Sequence, residues 1–245
     1  MLLPSLWKII AKRFRRLMQS GRYGDALILA RRYTRLHPHD PAGWIFVSNA
    51  QDALGEPERG LDAILAALER MPTSTELRWT GAEALMSLER IDEAEAALNE
   101  LIQRDPTAPH GYAGRARLAL KRGELEEAQS WADEAVRRIN PAEVHEYAIL
   151  LSVAATLMAL PGELAAAEAL FLKAARQRKL DVAPHLVLAS IRGLQGNRVA
   201  QAEHRADARA RWRGSNEEFI REEQRYEGAV ERAITYAKQE ALRKK

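Results

Sequence analysis

Residues 41–74 decide the fold, and they read PAGWIFVSNAQDALGEPERGLDAILAALERMPTS. Proline is favoured at the first position of a helix and glycine just after the last one, so Pro41 and Gly55 predict the limits of one helix. A second helix is expected from about Glu56 to Arg70, and Pro72 would close it. The stretch therefore predicts two helices joined by a short turn.

The same unit recurs along the chain with a period of 34 residues. Gly21, Gly55 and Gly123 share one position of the repeat, and Glu89 stands at the intervening step. Small residues also recur inside the expected helices, at Ser48, Ala82, Ala116, Ala155 and Ala189 in the first helices and at Ala26, Ala67, Ala94, Ala128, Ala135 and Ala174 in the second. Because small side chains let helices approach closely, this pattern predicts stacked helical hairpins.

The array resembles the tetratricopeptide repeat family, whose units combine an aromatic residue, a glycine turn, alanines and a closing proline. Matching residues include Gly21, Tyr23, Ala26 and Pro38, then Trp44, Gly55, Ala67 and Pro72, then Tyr112, Ala116, Gly123, Ala128 and Ala135. The resemblance covers residues 7–213 and implies an all-α fold, a right-handed α-solenoid of about five to six hairpins. The expected repeats are 7–40, 41–74, 75–108, 109–142, 148–181 and 182–213, with a basic first helix within 1–20.

The residues after Gly214 leave the repeat and predict one long helix. Ser215 and Asn216 offer an N-cap, and the acidic residues that follow favour the positive end of a helix. One face carries Phe219, Tyr226, Val230, Ala233 and Ala237. We expect residues 214–245 to form a capping helix, because the last repeat of a solenoid must be covered. A partner-binding or dimerising helix is the alternative.

The composition excludes several classes of protein. The chain has 245 residues, of which 47% are hydrophobic, so a wholly disordered chain is excluded. Only 6% are aromatic, which favours closely packed helices over a β-sandwich. It has no cysteine, which excludes disulfides and thiolate chemistry and is compatible with a reducing compartment. No apolar run approaches the roughly 20 residues that a membrane-spanning helix needs. We expect a cytoplasmic protein, with peripheral association at a membrane left open.

No motif for catalysis is present. The sequence lacks a glycine-rich phosphate loop and a nucleophile elbow, so we predict a protein that is not an enzyme, with no catalytic residue, no cofactor and no metal site. His37 and His39 are assigned to the turn that closes the first repeat. The other histidines, at His110, His145, His185 and His204, are too dispersed along the chain to suggest a set of metal ligands.

The family resemblance implies a partner-binding groove lined by the first helix of each hairpin. The expected groove residues are Phe46, Asn49, Asp52, Trp79, Glu83, Arg117 and Lys121. The resemblance also places Thr80, Met86 and His110 at groove-facing positions. Aromatic and arginine side chains carry most interface energy, so Phe46, Trp79 and Arg117 are the expected anchors. Packing between repeats is the alternative for Phe46 and Trp79. In repeats five and six the groove positions are apolar or small, at Ser152, Val153, Thr156, Leu186, Val187 and Ser190.

Thr73 and Glu76 have the spacing of a capping box, which predicts a helix start in the third repeat. Glu76 also stands where a subset of the family that binds C-terminal carboxylates needs a cation, so binding of a partner's C-terminal carboxylate is not expected.

The N-terminal part of the chain is basic. Residues 1–40 carry nine lysines and arginines against two aspartates, whereas the rest of the chain is net acidic. The cationic amphipathic stretch includes Trp7, Lys8, Lys12, Arg15 and Arg16. It predicts docking on an anionic membrane or an acidic partner, unless it serves only as the first repeat helix.

These features favour a protein-interaction scaffold, an adaptor that binds a peptide or helix of one or more partner proteins and promotes assembly of a complex. A secretion or assembly chaperone for an aggregation-prone client is one alternative, motivated by the apolar groove of the last two repeats. A regulatory subunit recruited to a membrane by the basic first helix is another. Nucleic acid is disfavoured because stacking aromatics are scarce, no small-molecule substrate is expected, and a homodimer is left open.

Overall fold

The computed structural model describes residues 4–140, 147–177 and 181–243, with side chains in 9–140, 149–176 and 181–243. All regular structure in these ranges is helical, so the prediction of an all-α fold is confirmed. The helices are α1 Pro4–Gln19, α2 Tyr23–Leu36, α3 Pro41–Ala53, α4 Pro57–Arg70, α5 Thr75–Ser87, α6 Ile91–Arg104, α7 Pro109–Arg122, α8 Leu125–Arg138, α9 Tyr147–Met158, α10 Leu164–Gln177, α11 Ala183–Leu194, α12 Arg198–Arg211 and α13 Asn216–Arg243. None of these described helices has the length and apolarity to cross a membrane.

Successive helices pack as antiparallel hairpins, each with a tight turn. Helix α3 begins at Pro41 and ends before Gly55, as the sequence predicts, and the Asp40 side chain accepts a hydrogen bond from the Ala42 amide at 3.0 Å. Gly55 has a φ of 76°, the left-handed conformation that glycine adopts without strain. Glu89 has a φ of 58° and is the one non-glycine residue with a positive φ in the described part. The turn therefore imposes its backbone conformation even where the repeat lacks glycine.

Two local expectations are corrected. The N-cap of α5 is Ser74 rather than Thr73, because the Ser74 Oγ accepts the Leu77 amide at 3.3 Å. Ala155 is exposed, and its neighbour Ala154 is fully buried instead. The extra residues before the fifth repeat break the 34-residue period, so the position of the buried small residue could not be carried across them.

The chain divides into two compact units, one ending at Pro106 and the other beginning at Thr107. Along the chain, the units meet between α6 and α7, and α13 belongs to the same unit as the last three hairpins. Each unit has its own core. In the first unit, one cluster joins Phe14, Ala26, Leu27, Ala30, Val47 and Ala50, and another joins Ile64, Ala67 and Leu77. Buried alanines at the helix crossings let the hairpins stack closely.

Candidate partner-binding surface

The first unit carries five of the predicted groove residues on two neighbouring helices. Helices α3 and α5, the first helices of the second and third repeats, contact each other. Asn49 and Asp52 are exposed and three residues apart on α3, so they share one face. Trp79 and Glu83 are half-buried and four residues apart on α5, which gives them one face as well.

Phe46 has a packing role in the first unit. Its ring stacks on that of Phe14, with 4.1 Å between centroids and 9° between planes. Phe46 is half-buried and packs against the cluster that contains Phe14 and Val47. This contact joins α3 to α1, so the aromatic contributes to the core whether or not a partner also touches it.

Two other residues of α5 are buried rather than groove-facing. Thr80 donates its hydroxyl hydrogen to the Glu76 carbonyl oxygen at 2.8 Å, and Met86 belongs to the core. The sequence assigned both to the groove, but each lies three residues from the half-buried Glu83, and a small rotation of the helix separates such positions. The accessible part of α5 is therefore narrower than expected.

The second unit holds the remaining two predicted groove residues. Arg117 and Lys121 are exposed and four residues apart on α7, so they form a basic pair on one face. His110, which the sequence also assigned to the groove, is buried at the start of the same helix.

Helix α13 packs along α11 and also contacts α9. Its buried residues are Phe219, Val230, Ile234 and Ala237, so Ile234 takes the place that the sequence gave to the half-buried Ala233. Ser215 caps the helix as expected: its amide donates to the Glu218 carboxylate at 2.7 Å, and its Oγ accepts the Glu218 amide at 3.2 Å.

The packing of α13 explains the apolar groove positions of the last repeats. Helices α9 and α11 are the first helices of the fifth and sixth hairpins, and Val153, Leu186 and Val187 on them are buried. Leu186 lies in one cluster with Phe219, and Tyr226 packs against that cluster. The apolar surface that motivated the chaperone hypothesis is thus covered by the chain itself, at least around Leu186.

A cationic cleft lies between α1 and α2. Its lining includes Lys12, Arg13, Arg16, Arg22 and Arg32 together with Ile9 and Ile28. Asp25 is the one carboxylate in this lining, and it pairs with Arg22 at 2.7 Å. Ile9 and Ile28 are largely exposed. Of the other residues predicted for docking, Arg15 is half-buried and outside the cleft lining, whereas the side chains of Trp7 and Lys8 lie outside the described residues.

The sequence did not indicate one cluster, which consists of two histidines and an aspartate on α11 and α12. The rings of His185 on α11 and His204 on α12 lie 6.0 Å apart, although 19 positions separate them in the sequence. Asp207 lies one turn after His204, and its Oδ2 is 3.7 Å from the His185 Nδ1. Burial is the main cause that lowers the pKa of both histidines. A hydrogen bond from Arg211 lowers the pKa of Asp207. In the sequence, the three-residue spacing of His204 and Asp207 on one predicted helix could have indicated part of this cluster.

Comparison with known families assigns the fold. One tetratricopeptide repeat model matches residues 12–75, and a second matches residues 61–118 and 85–147. Together the matches extend over more than half of the chain. The chain belongs to the tetratricopeptide repeat family. Proteins of the tetratricopeptide repeat family bind other proteins or peptides and are generally interaction scaffolds without enzymatic activity.

Three solved structures have a fold similar to that of this chain. TTC0263, a thermophilic tetratricopeptide repeat protein of Thermus thermophilus, has a TM-score of 0.53 and 21% identity, over 72% of this chain and 94% of that one. Yeast Tom70 has a TM-score of 0.59 and 15% identity, over 85% of this chain and 43% of that one. The Cut9–Hcn1 hetero-tetramer of the APC/C has a TM-score of 0.54 and 14% identity, over 89% of this chain and 41% of that one. No curated protein matches the sequence.

Proposed function

We propose that this tetratricopeptide repeat protein is a non-enzymatic adaptor that binds a peptide or helix of a partner protein on α3 and α5. The observation that carries the proposal is the exposure of Asn49 and Asp52 on α3, which contacts the helix that bears Trp79 and Glu83. In the second unit, α13 already packs on the first helix of the sixth hairpin. The first unit is therefore the better candidate for a partner.

The chemistry of these residues indicates which partner segment would fit. The half-buried Trp79 offers an apolar contact surface, and its large ring is the type of side chain that dominates interface energy. The Asn49 amide both donates and accepts, as a peptide backbone requires. The exposed Asp52 adds a carboxylate. A segment with an apolar side chain next to a lysine or arginine suits this combination.

The adaptor proposal is tested by capturing a partner with the wild-type protein and measuring its affinity for single variants. We expect Trp79→Ala to weaken binding about 30-fold, because loss of an interface anchor costs about 2 kcal/mol. Asn49→Ala is expected to weaken binding by a smaller factor. Asn99→Ala is the matched control, since Asn99 is exposed on α6, a second helix. Circular dichroism checks that each variant is folded.

Unchanged affinity in Trp79→Ala, Asn49→Ala and Asp52→Ala would reject the surface on α3 and α5. If binding falls instead in Arg117→Ala or Lys121→Ala alone, the partner surface lies on the second unit, and only the general scaffold function is retained.

The cleft between α1 and α2 favours a second candidate function, recruitment to an anionic membrane. Its cations could contact lipid headgroups while the exposed Ile9 and Ile28 contact the acyl boundary. We expect the protein to sediment with vesicles that contain phosphatidylserine, and this binding should fall steeply with salt.

Reversing two charges tests the membrane candidate. The double variant Lys12→Glu/Arg16→Glu should lose binding to anionic vesicles at low salt. Its control, Arg59→Glu/Arg70→Glu, changes the net charge equally at exposed positions of α4 and should still bind. Equal loss in both variants would show that only net charge matters, and absence of wild-type binding would eliminate this candidate.

A further inference from the structure

The sixth hairpin brings three side chains that can ligate metal to one place. His185 projects from the first turn of α11, and His204 and Asp207 lie one turn apart on α12. One ligand atom from each of the three residues lies within 4.8 Å of the other two. Because α11 and α12 pack against each other, the cluster rests on two rigid elements rather than on a loop.

The histidines of this cluster lack the hydrogen bonds that buried imidazoles need. His185 is only 6% exposed, and neither of its ring nitrogens has a hydrogen-bond partner. The buried Nδ1 of His204 has none either. Buried polar atoms without partners are rare in proteins, because the lost hydration is not replaced. A metal ion bound to one ring nitrogen of His185 would give that buried atom a partner.

The carboxylate completes a mixed nitrogen and oxygen set. The Asp207 Oδ1 accepts a hydrogen bond from the Arg211 Nη1 at 2.8 Å, while Oδ2 lies on the side of His185. Such an outer contact orients a ligating carboxylate and is common around metal sites. Burial lowers the pKa of both imidazoles and so favours their neutral form, which is the form that ligates a metal.

We propose that His185, His204 and Asp207 form a binding site for a divalent late transition metal of the zinc class. Two imidazole nitrogens with one carboxylate oxygen are typical of zinc and its neighbours, whereas magnesium and calcium prefer oxygen ligands alone. In a tetrahedral site with bonds of about 2.1 Å, ligand atoms lie about 3.4 Å apart. Rotation of the half-buried His204 and the exposed Asp207 closes the remaining distance, and water supplies the fourth ligand.

A metal at this position would link the two helices of the last hairpin. Because α13 packs on α11, the ion would stabilise the helix pair that supports the C-terminal helix. Binding to the folded state alone raises the melting temperature of a protein, so the metal should raise Tm.

The site is tested on the full-length, tag-free protein after treatment with a chelator. Zn²⁺ is titrated by calorimetry, and Co²⁺ is titrated while the visible absorption of a tetrahedral site is recorded. We expect one ion per chain, a higher Tm with Zn²⁺ and no binding of Mg²⁺. His204→Gln and Asp207→Asn, both at accessible positions, should each weaken Zn²⁺ binding on the order of 100-fold.

His37→Gln is the matched control, because it removes a histidine from a turn in the first unit. It should bind Zn²⁺ as the wild type does. The proposal is overturned if the wild type takes up no ion. It is overturned equally if His204→Gln binds as tightly as the wild type, or if binding disappears in His37→Gln instead. Circular dichroism of each variant separates a lost site from a lost fold.

Discussion

Phe219→Ala is expected to lower the free energy of unfolding by about 3–5 kcal/mol, the typical cost of removing a buried aromatic ring. Phe219 is 2% exposed and packs edge-on against Trp212, with 5.7 Å between the ring centroids. The Arg209 guanidinium lies 5.3 Å from the same ring. Truncation would leave a cavity where α13 begins, between this helix and the last hairpin.

The neighbouring residue provides the control for this prediction. Ile220 is 38% exposed, so Ile220→Ala removes much less buried surface than Phe219→Ala, and its cost should be only about 1 kcal/mol. Urea denaturation followed by circular dichroism measures both. Equal losses in the two variants would contradict the packing of α13 on the hairpin. The predicted difference would support α13 as a cap of the last repeat rather than as a helix that is free to bind a partner.

Ile64→Ala should cost about 2–5 kcal/mol in the first unit. Ile64 is fully buried and forms a cluster with Ala67 and Leu77, so its removal opens a cavity between α4 and α5. Alanine has the highest helix propensity, and the loss would therefore report packing and not helix formation.

Leu65→Ala is the matched control for Ile64→Ala. Leu65 is the next residue on α4, is 50% exposed and loses the same number of side-chain atoms on truncation. Its cost should be below about 1 kcal/mol. If Leu65→Ala were the more destabilising change, the helical register of the second repeat would be wrong. The same pair also serves the binding experiments, because a variant that only weakens the fold should differ from Trp79→Ala in its effect on affinity.

The position of α13 narrows the surfaces that remain for partners. The sequence treated the first helices of all six repeats as one groove. In the second unit, however, Leu186 and Val187 are buried, and α13 packs on the helix that carries them. The proposed partner surface on α3 and α5 and the proposed metal site on α11 and α12 lie in different units. The result of the partner-binding experiment therefore does not depend on the result of the metal-binding experiment.

Much of the fold could be predicted from the sequence because it depends on local interactions. A proline at a helix start and a glycine after its end act within one turn, so the limits of α3 could be predicted. The period of 34 residues carried the same prediction to other repeats, even to Glu89, which adopts the turn conformation of glycine. The capping residues of α13 were predicted for the same reason.

Side-chain environments could be predicted less well from the sequence, because they depend on which helices pack against each other. The stacking of Phe46 on Phe14 joins residues that are 32 positions apart, and no pattern within α3 distinguishes that contact from exposure in a groove. The register of Ala154 and Ala155 was lost where extra residues interrupt the period. On a helix, a shift of one residue turns a side chain by about 100° and exchanges a buried position for an exposed one.

The sequence by itself determined that this protein is a tandem array of helical hairpins followed by a long amphipathic helix, because helix limits and apolar periodicity are encoded within one or two turns. Only the tertiary structure decided where α13 packs, which groove positions remain accessible, and that His185 meets His204 and Asp207. Those features arise when separate helices bury their apolar faces against each other, and the pairing of faces depends on shape and volume across the whole unit.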